Sequence, residues 1–158
     1  MKDSFKTGIG FGLTSAIITT LGLMIGLYSG TRSEIAILGG IITIAIADAF
    51  SDALGIHISE ECKDNSDTKH IWESTIATFF SKFIFAMTFA VPIFLLDIGV
   101  AIYVNLIWGF ALLAIFSYYI SILKNENPIW IIIEHVTIAS LVIVISYYVG
   151  CWVNSTFV

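Results

Sequence analysis

Five long apolar runs, divided by short polar breaks, constrain the fold of this chain more than any other feature. Each run has roughly 20 to 25 residues, the length that an α-helix needs to cross the apolar core of a bilayer. Hydrophobic residues make up 58% of the sequence and charged residues only 12%, whereas about a quarter of a soluble domain is charged. The sequence therefore predicts an all-α integral membrane protein, with one domain over residues 1–158. The predicted transmembrane helices cover residues 8–29, 35–58, 71–96, 98–123 and 128–153.

The basic residues outside the apolar runs indicate the orientation of the predicted helices. Loops on the cytoplasmic side of a membrane carry an excess of lysine and arginine. With five crossings, Arg32 falls on the side opposite the N-terminus. The side of the N-terminus holds Lys2, Lys6, Lys63, Lys69 and Lys124. This distribution predicts a cytoplasmic N-terminus and an external C-terminus, and we expect the protein in the cell membrane.

Two aspartates, Asp48 and Asp52, interrupt the second apolar run. A spacing of four places both carboxylates on one face of a helix. An ionisable group in the bilayer core costs about 2.5–3.5 kcal/mol on insertion scales, and such groups mark ion paths or proton relays. Lys82 in the third run and Glu134 in the fifth lie at similar predicted depths. The four residues therefore form a candidate cluster.

This cluster admits two interpretations. Two neighbouring carboxylates need a positive charge between them, and that charge belongs to Lys82, to a metal ion or to a proton. In the first case Lys82 is a counter-ion and the cluster is a structural ion pair. In the other two cases the cluster is functional: Asp48, Asp52 and Glu134 are metal ligands, or the aspartates carry protons. Glu134 also lies near the start of its run, where a long side chain reaches the membrane surface.

Further acidic and histidine residues surround the predicted cytoplasmic mouth, near the loop between the second and third runs. Glu60 and Glu61 are candidates for recruiting cations, and His57 and His70 are candidate additional ligands. Carboxylate and imidazole groups suit divalent first-row metal ions. The alternative is an ordinary solvated loop, with the histidines at a helix interface or at the membrane edge.

A stripe of small residues runs along the first predicted helix, at spacings of three and four. Small residues let the backbones of membrane helices approach closely. The stripe therefore predicts a helix-packing face, either within one chain or between two subunits. Its glycines are Gly8, Gly12, Gly22, Gly26 and Gly30.

No motif in the sequence indicates an enzyme. The chain has no Walker loop, no Gly-x-Ser-x-Gly turn and no His-Glu-x-x-His helix. Its formal net charge of −5 argues against nucleic acid as a partner. Cys62 and Cys151 fall on opposite predicted sides of the membrane, so they indicate neither a disulfide nor a metal knuckle.

Several segments together resemble the vacuolar iron transporter family. The segment from Gly8 to Leu27, with Gly-Leu followed by Thr-Ser, is similar to the first helix of that family. The segment from Ala47 to Glu60 is similar to its second-helix pattern of Ala-x-Ala-x-Ser followed by Gly and Ser. A third helix with Pro92 near its outer end and the closing residues 147–153 also resemble the family. The resemblance extends over nearly the whole chain.

The resemblance implies a homodimer in the lipid bilayer, with an ion path at the subunit interface and metal carried in exchange for protons. The family's cytoplasmic metal-binding domain corresponds here to the short loop 60–70. Its first-helix aspartate corresponds to Phe11, and its second-helix methionine corresponds to Asp52. Carboxylates in place of a thioether favour harder divalent ions such as Mn²⁺.

These observations lead to two functional expectations. The first is a transporter of a divalent metal ion, iron- or manganese-like, that has no permanently bound cofactor. The second is a non-transporting scaffold or assembly subunit that has the same fold. Both place the protein in a lipid bilayer.

Overall fold

The computed structural model describes residues 3–63 and 67–157, which form helices and no strand. Lys2, used above to predict the orientation, lies outside the described residues. The described helices are α1 (Asp3–Thr31), α2 (Glu34–Glu61), α3 (Thr68–Thr88), α4 (Ala90–Leu95), α5 (Ile98–Lys124) and α6 (Pro128–Phe157). Taking α3 and α4 as one span over Thr68–Leu95, five helical segments are long and apolar enough to cross a membrane. All five predicted spans coincide with these segments.

Polar caps set the ends of the helices where the apolar runs break. The Ser33 hydroxyl accepts a 3.2 Å hydrogen bond from the Ala36 amide at the start of α2. The Asp67 carboxylate accepts one of 3.3 Å from the Lys69 amide at the start of α3. Asn125 adopts a left-handed conformation, with φ of 55°, and ends α5. These caps satisfy backbone groups that a helix terminus leaves unpaired.

The third span is interrupted at Phe89, between α3 and α4. Pro92 has no backbone N–H, so the carbonyl of Thr88 loses its helical partner. The side-chain amide of Asn105, fully buried on α5, donates a 2.9 Å hydrogen bond to the carbonyl of Phe89. The Trp108 indole donates one of 3.0 Å to the Thr88 hydroxyl. Neighbouring side chains thus satisfy polar groups at the break, as an apolar environment requires.

Helix α1 is the centre of the bundle, since it packs against α2, α3, α5 and α6. Its buried side chains, including Ile17, Leu21 and Met24, form one core with residues from α2, α4, α5 and α6. The outward faces of the other helices carry large apolar side chains, such as Ile107 at 72% exposure. Apolar residues both inside and outside are what a bundle surrounded by lipid needs.

The glycine stripe of α1 packs within the chain and divides between two partners. A Cβ placed at Gly12 would lie 2.6 Å from the carbonyl oxygen of Thr78 on α3. A Cβ at Gly22 would lie 2.9 Å from the side chain of Val142 on α6. Gly8 faces α3 in the same way, and Gly26 and Gly30 face α6. The stripe therefore holds α1 against α3 at one end of the bundle and against α6 at the other.

Candidate ion cluster in the middle of the bundle

Lys82 of α3 lies between the two aspartates of α2. Its residue is completely buried, and its ammonium nitrogen lies 2.5 Å from Oδ2 of Asp48. The same nitrogen donates a hydrogen bond to Oδ2 of Asp52. It also donates one of 2.7 Å to the hydroxyl of Ser15 on α1. Three helices thus contribute to one polar cluster near the middle of α2.

The two aspartates are held differently. Asp52 accepts hydrogen bonds from both the Lys82 ammonium and the Ser15 hydroxyl, the latter at 2.6 Å. Lys82 and Asp48 form an ion pair, and the buried Oδ2 of Asp48 has no hydrogen-bond partner among the described residues. The side chain of Asp48 is 29% exposed and that of Asp52 is 17% exposed. Asp48 is therefore the more accessible and less completely paired carboxylate.

Electrostatics make this cluster sensitive to any change in its charge. As two carboxylates and one ammonium, the cluster carries a net charge of −1. Removing charges from water costs several kcal/mol for each ion, and only close pairing and further hydrogen bonds compensate for it. Salt bridges to Asp48 and Asp52 come from Lys82 alone among the residues that the structure describes. One negative charge in the cluster is thus left without a cationic partner in the described chain.

A groove of about 770 Å³ between α1 and α2 reaches Asp48 from the outside of the bundle. Apolar side chains such as Leu23 and Leu27 form its α1 wall, together with Thr19. Its α2 wall contains Gly40, Thr43, Ala47, Asp48 and Ser51. The cluster therefore opens sideways, toward the face on which a lipid or another protein chain would lie.

A second stripe of small residues lies on α2, immediately beside the aspartates. The sequence alone does not reveal this stripe, because the exposure of its residues is a property of the tertiary structure. A Cβ at Gly39 or Gly55 would meet nothing within 4 Å, so nothing packs there in the described chain. The stripe, at a constant spacing of four and exposed throughout, consists of Gly39, Thr43, Ala47, Ser51 and Gly55.

Glu134 does not join the cluster in this chain. It is exposed on α6, and α6 packs against α1 and α5. Within residues 3–63 and 67–157, no three His, Cys, Asp or Glu side chains are grouped so that they would hold one metal ion. The structure thus brings together Asp48, Asp52 and Lys82 from the predicted cluster and places Glu134 elsewhere.

The residues of the predicted mouth are also separate from the cluster. Glu60 is buried, with an exposure of 2%, and pairs with the Lys63 ammonium at 2.6 Å and the His70 ring at 3.5 Å. Glu61 is exposed at the end of α2. His57 contacts the Thr75 hydroxyl at 3.0 Å and packs its ring against Trp72. His57 therefore joins α2 to α3, and Glu60 ties the end of α2 to the start of α3.

Two serines of the bundle make polar contacts that were not predicted. Ser15 of α1 is a hydrogen-bond partner of both Lys82 and Asp52. Ser117 of α5 contacts the His135 ring of α6 at 2.8 Å. Nothing in the sequence distinguishes these serines from others on apolar helices, because only the packing of the helices decides which hydroxyl meets a charge.

Neither a protein-family model, nor a curated protein, nor a solved structure matches this chain. The fold and cluster define the class of the protein as an all-helical bundle, with five segments able to cross a membrane and an ion cluster among three of them. The resemblance to the vacuolar iron transporters stays a prediction.

Proposed function

We propose that this protein is an integral membrane transporter of a small inorganic cation, and that Asp48 and Asp52 bind the transported ion. One observation carries the proposal: an ion cluster in the middle of apolar helices is open, through Asp48, to a groove. The N-terminus and the α2–α3 connection lie on the cytoplasmic side, because the basic residues near the helix ends concentrate there. Lys6 and Lys124 line one pocket at this end of the bundle.

The cost of charge in a bilayer supports a functional role for the cluster. A structural bundle of this size is stabilised by apolar packing and close helix contacts, neither of which needs three ionisable groups in its middle. Ionisable residues within membrane helices mark ion pathways and proton relays. Asp48 satisfies the further requirement for such a role, because it lines the groove and its side chain is partly exposed.

The ligand atoms of the cluster limit the kind of ion that it binds. The carboxylates of Asp48 and Asp52 and the Ser15 hydroxyl present oxygen only. Oxygen ligands suit hard cations, which include Mg²⁺, Ca²⁺ and Mn²⁺ among the divalent ions. A divalent metal ion is the cargo expected from the resemblance, and hard cations of lower charge use the same ligands.

Two copies of the chain form the transporter, with α2 against α2. The exposed stripe of α2 consists of residues small enough for the helices to approach closely. Thr43 and Ser51 expose hydroxyls in the same stripe, beside a partly exposed Asp48. Polar groups at this depth face protein or water rather than lipid. An isologous pair would cover the stripe with its own copy and would place both carboxylate pairs along a shared path.

The scaffold alternative is favoured by a different observation. Lys82 already pairs with both aspartates, and Ser15 completes the hydrogen bonding of Asp52. A cluster that is satisfied in this way would link α1, α2 and α3 without moving an ion. In that case substitution of an aspartate would alter the stability of the protein, and neither the wild type nor the variant would transport an ion.

The test is cation flux into proteoliposomes that contain purified protein. Parallel assays use Mn²⁺, Fe²⁺ under reducing conditions, and Na⁺, and compare wild type with Asp52→Asn. The matched control is Asp97→Asn, the same chemical change at an exposed position between α4 and α5. We expect flux of at least one cation from wild type and from Asp97→Asn, and a loss of about tenfold or more in Asp52→Asn. Equal flux from all three proteins, or none from wild type, favours the scaffold.

A further inference from the structure

We infer that Lys82 sets the charge of the transported ion, and that the site takes a singly charged alkali cation such as Na⁺. This inference rests on the proposed function and specifies which class of ion the protein transports. It differs from the divalent metal ion that the sequence suggests. The distinction follows from the net charge of the cluster, which Lys82 reduces from −2 to −1.

The cluster is not electrically neutral in its apolar surroundings. With its two carboxylates and one ammonium, the cluster lacks one positive charge for neutrality. A singly charged cation supplies it, whereas a divalent cation leaves an uncompensated charge of the opposite sign. An uncompensated buried charge is strongly unfavourable. Neutrality therefore favours the singly charged ion.

Lys82 has no room to withdraw from the two aspartates. Its residue has zero exposure, and it is held by Asp48, Asp52 and Ser15 at once. Fully buried alanines of α1, α2 and α3 pack together as a separate small cluster in the same three-helix region, at Ala16, Ala45 and Ala86. The ammonium is therefore a fixed positive charge, and an incoming ion adds to it rather than replacing it.

The groove gives an ion a route to Asp48. Asp52 has its Oδ2 occupied by Ser15 and Lys82, but Asp48 faces the groove. The exposed hydroxyl of Ser51 lines the same groove. An ion that enters there meets carboxylate and hydroxyl oxygens, which are the ligands of a hard cation. The site therefore has an open side, and the ammonium lies on its closed side.

A series of charge variants tests the inference. Lys82→Met makes the charge of the cluster −2, and Lys82→Met with Asp52→Asn returns it to −1 while keeping Asp48 on the groove. Asp52→Asn alone makes the cluster neutral. Lys124→Met, at an exposed position at the end of α5, is the matched control for loss of a lysine. Binding is measured as the rise in melting temperature of the detergent-purified protein in NaCl or MnCl₂, relative to choline chloride at the same ionic strength.

We expect NaCl, and not MnCl₂, to stabilise the wild type, Lys124→Met and the double variant. Lys82→Met reverses the preference, with a shift in relative affinity on the order of tenfold or more toward Mn²⁺. Asp52→Asn alone responds to neither salt. If Lys82→Met does not fold, Asp52→Asn and the double variant decide, since stabilisation of Asp52→Asn by NaCl contradicts the charge count.

Several outcomes overturn the inference. These are a wild type stabilised by Mn²⁺ rather than Na⁺, a wild type stabilised by neither salt, and a Lys82→Met protein that folds and keeps the wild-type preference. Flux measurements separate this result from the proposed function. Mn²⁺ flux through the wild type retains transport and overturns the singly charged cargo. Na⁺-dependent stabilisation without flux retains the assigned ion and overturns transport.

Discussion

The ammonium of Lys82 lies 2.5 Å from a carboxylate oxygen of Asp48, and the two residues come from different helices, α3 and α2. Alanines where these helices approach, among them Ala45 and Ala86, keep the backbones close enough for this contact. The lysine also reaches Asp52 and Ser15 from the same position. One buried side chain thus connects the three helices that carry the candidate site.

Lys82→Met is expected to destabilise the fold. Removing one partner of a buried ion pair typically costs about 3–5 kcal/mol, because the remaining charge is left buried without compensation. Here two carboxylates lose their only cationic partner among the described residues. The measurement is the free energy of unfolding in detergent, in a buffer without alkali or divalent cations. Lys124→Met is the control. Equal stability of the two variants would contradict the claim that the ion pairs of Lys82 stabilise the fold.

Gly12→Ala is expected to lower the free energy of unfolding by roughly 1–3 kcal/mol, as overpacking does. The added methyl group would lie 2.6 Å from the Thr78 carbonyl, and two backbones would have to separate to admit it. Gly99→Ala on α5 is the matched control, because its Cβ would approach nothing closer than the Tyr28 hydroxyl at 4.0 Å. Thermal and denaturant unfolding of both variants in detergent provide the comparison. A Gly12→Ala protein as stable as Gly99→Ala would show that α1 and α3 do not pack this closely.

Ser51→Cys is expected to cross-link two copies of the chain. If α2 packs against α2 of a second copy, Ser51 lies near its counterpart, since the same surface forms both sides of an isologous interface. The background replaces Cys62 and Cys151 with serine, which removes both native cysteines. Ile107→Cys, at an exposed position on α5, is the control. Mild oxidation in membranes followed by non-reducing electrophoresis gives the readout, and equal cross-linking of both variants would contradict an interface at α2.

The length of the apolar runs explains why the positions of the helices were predictable. A run of about 20 apolar residues forms a helix in lipid because every backbone polar group must be satisfied within the segment. The break at Phe89 was not predicted, although Pro92 is visible in the sequence. A proline removes one hydrogen bond, but whether the helix continues depends on a neighbour such as Asn105, which comes from another helix.

The candidate site was predictable only in part. The spacing of Asp48 and Asp52 placed them on one helix face, and the cost of charge in lipid singled them out together with Lys82. Glu134 lies at a similar predicted depth, but depth does not specify the direction in which a helix face points. The structure leaves Glu134 exposed on α6.

The sequence by itself determined that this chain forms five apolar helices long enough to cross a membrane, because length and hydropathy are local properties of each segment. It also determined which residues are too costly to leave unpaired in lipid. Only the tertiary structure decided that Lys82 would supply the charge between the two aspartates, that Ser15 would join them, and that one stripe of small residues would pack inside the chain while another stayed exposed. These outcomes depend on how each helix is rotated about its axis and on which neighbour it contacts. Hydropathy alone determines neither the rotation nor the neighbour.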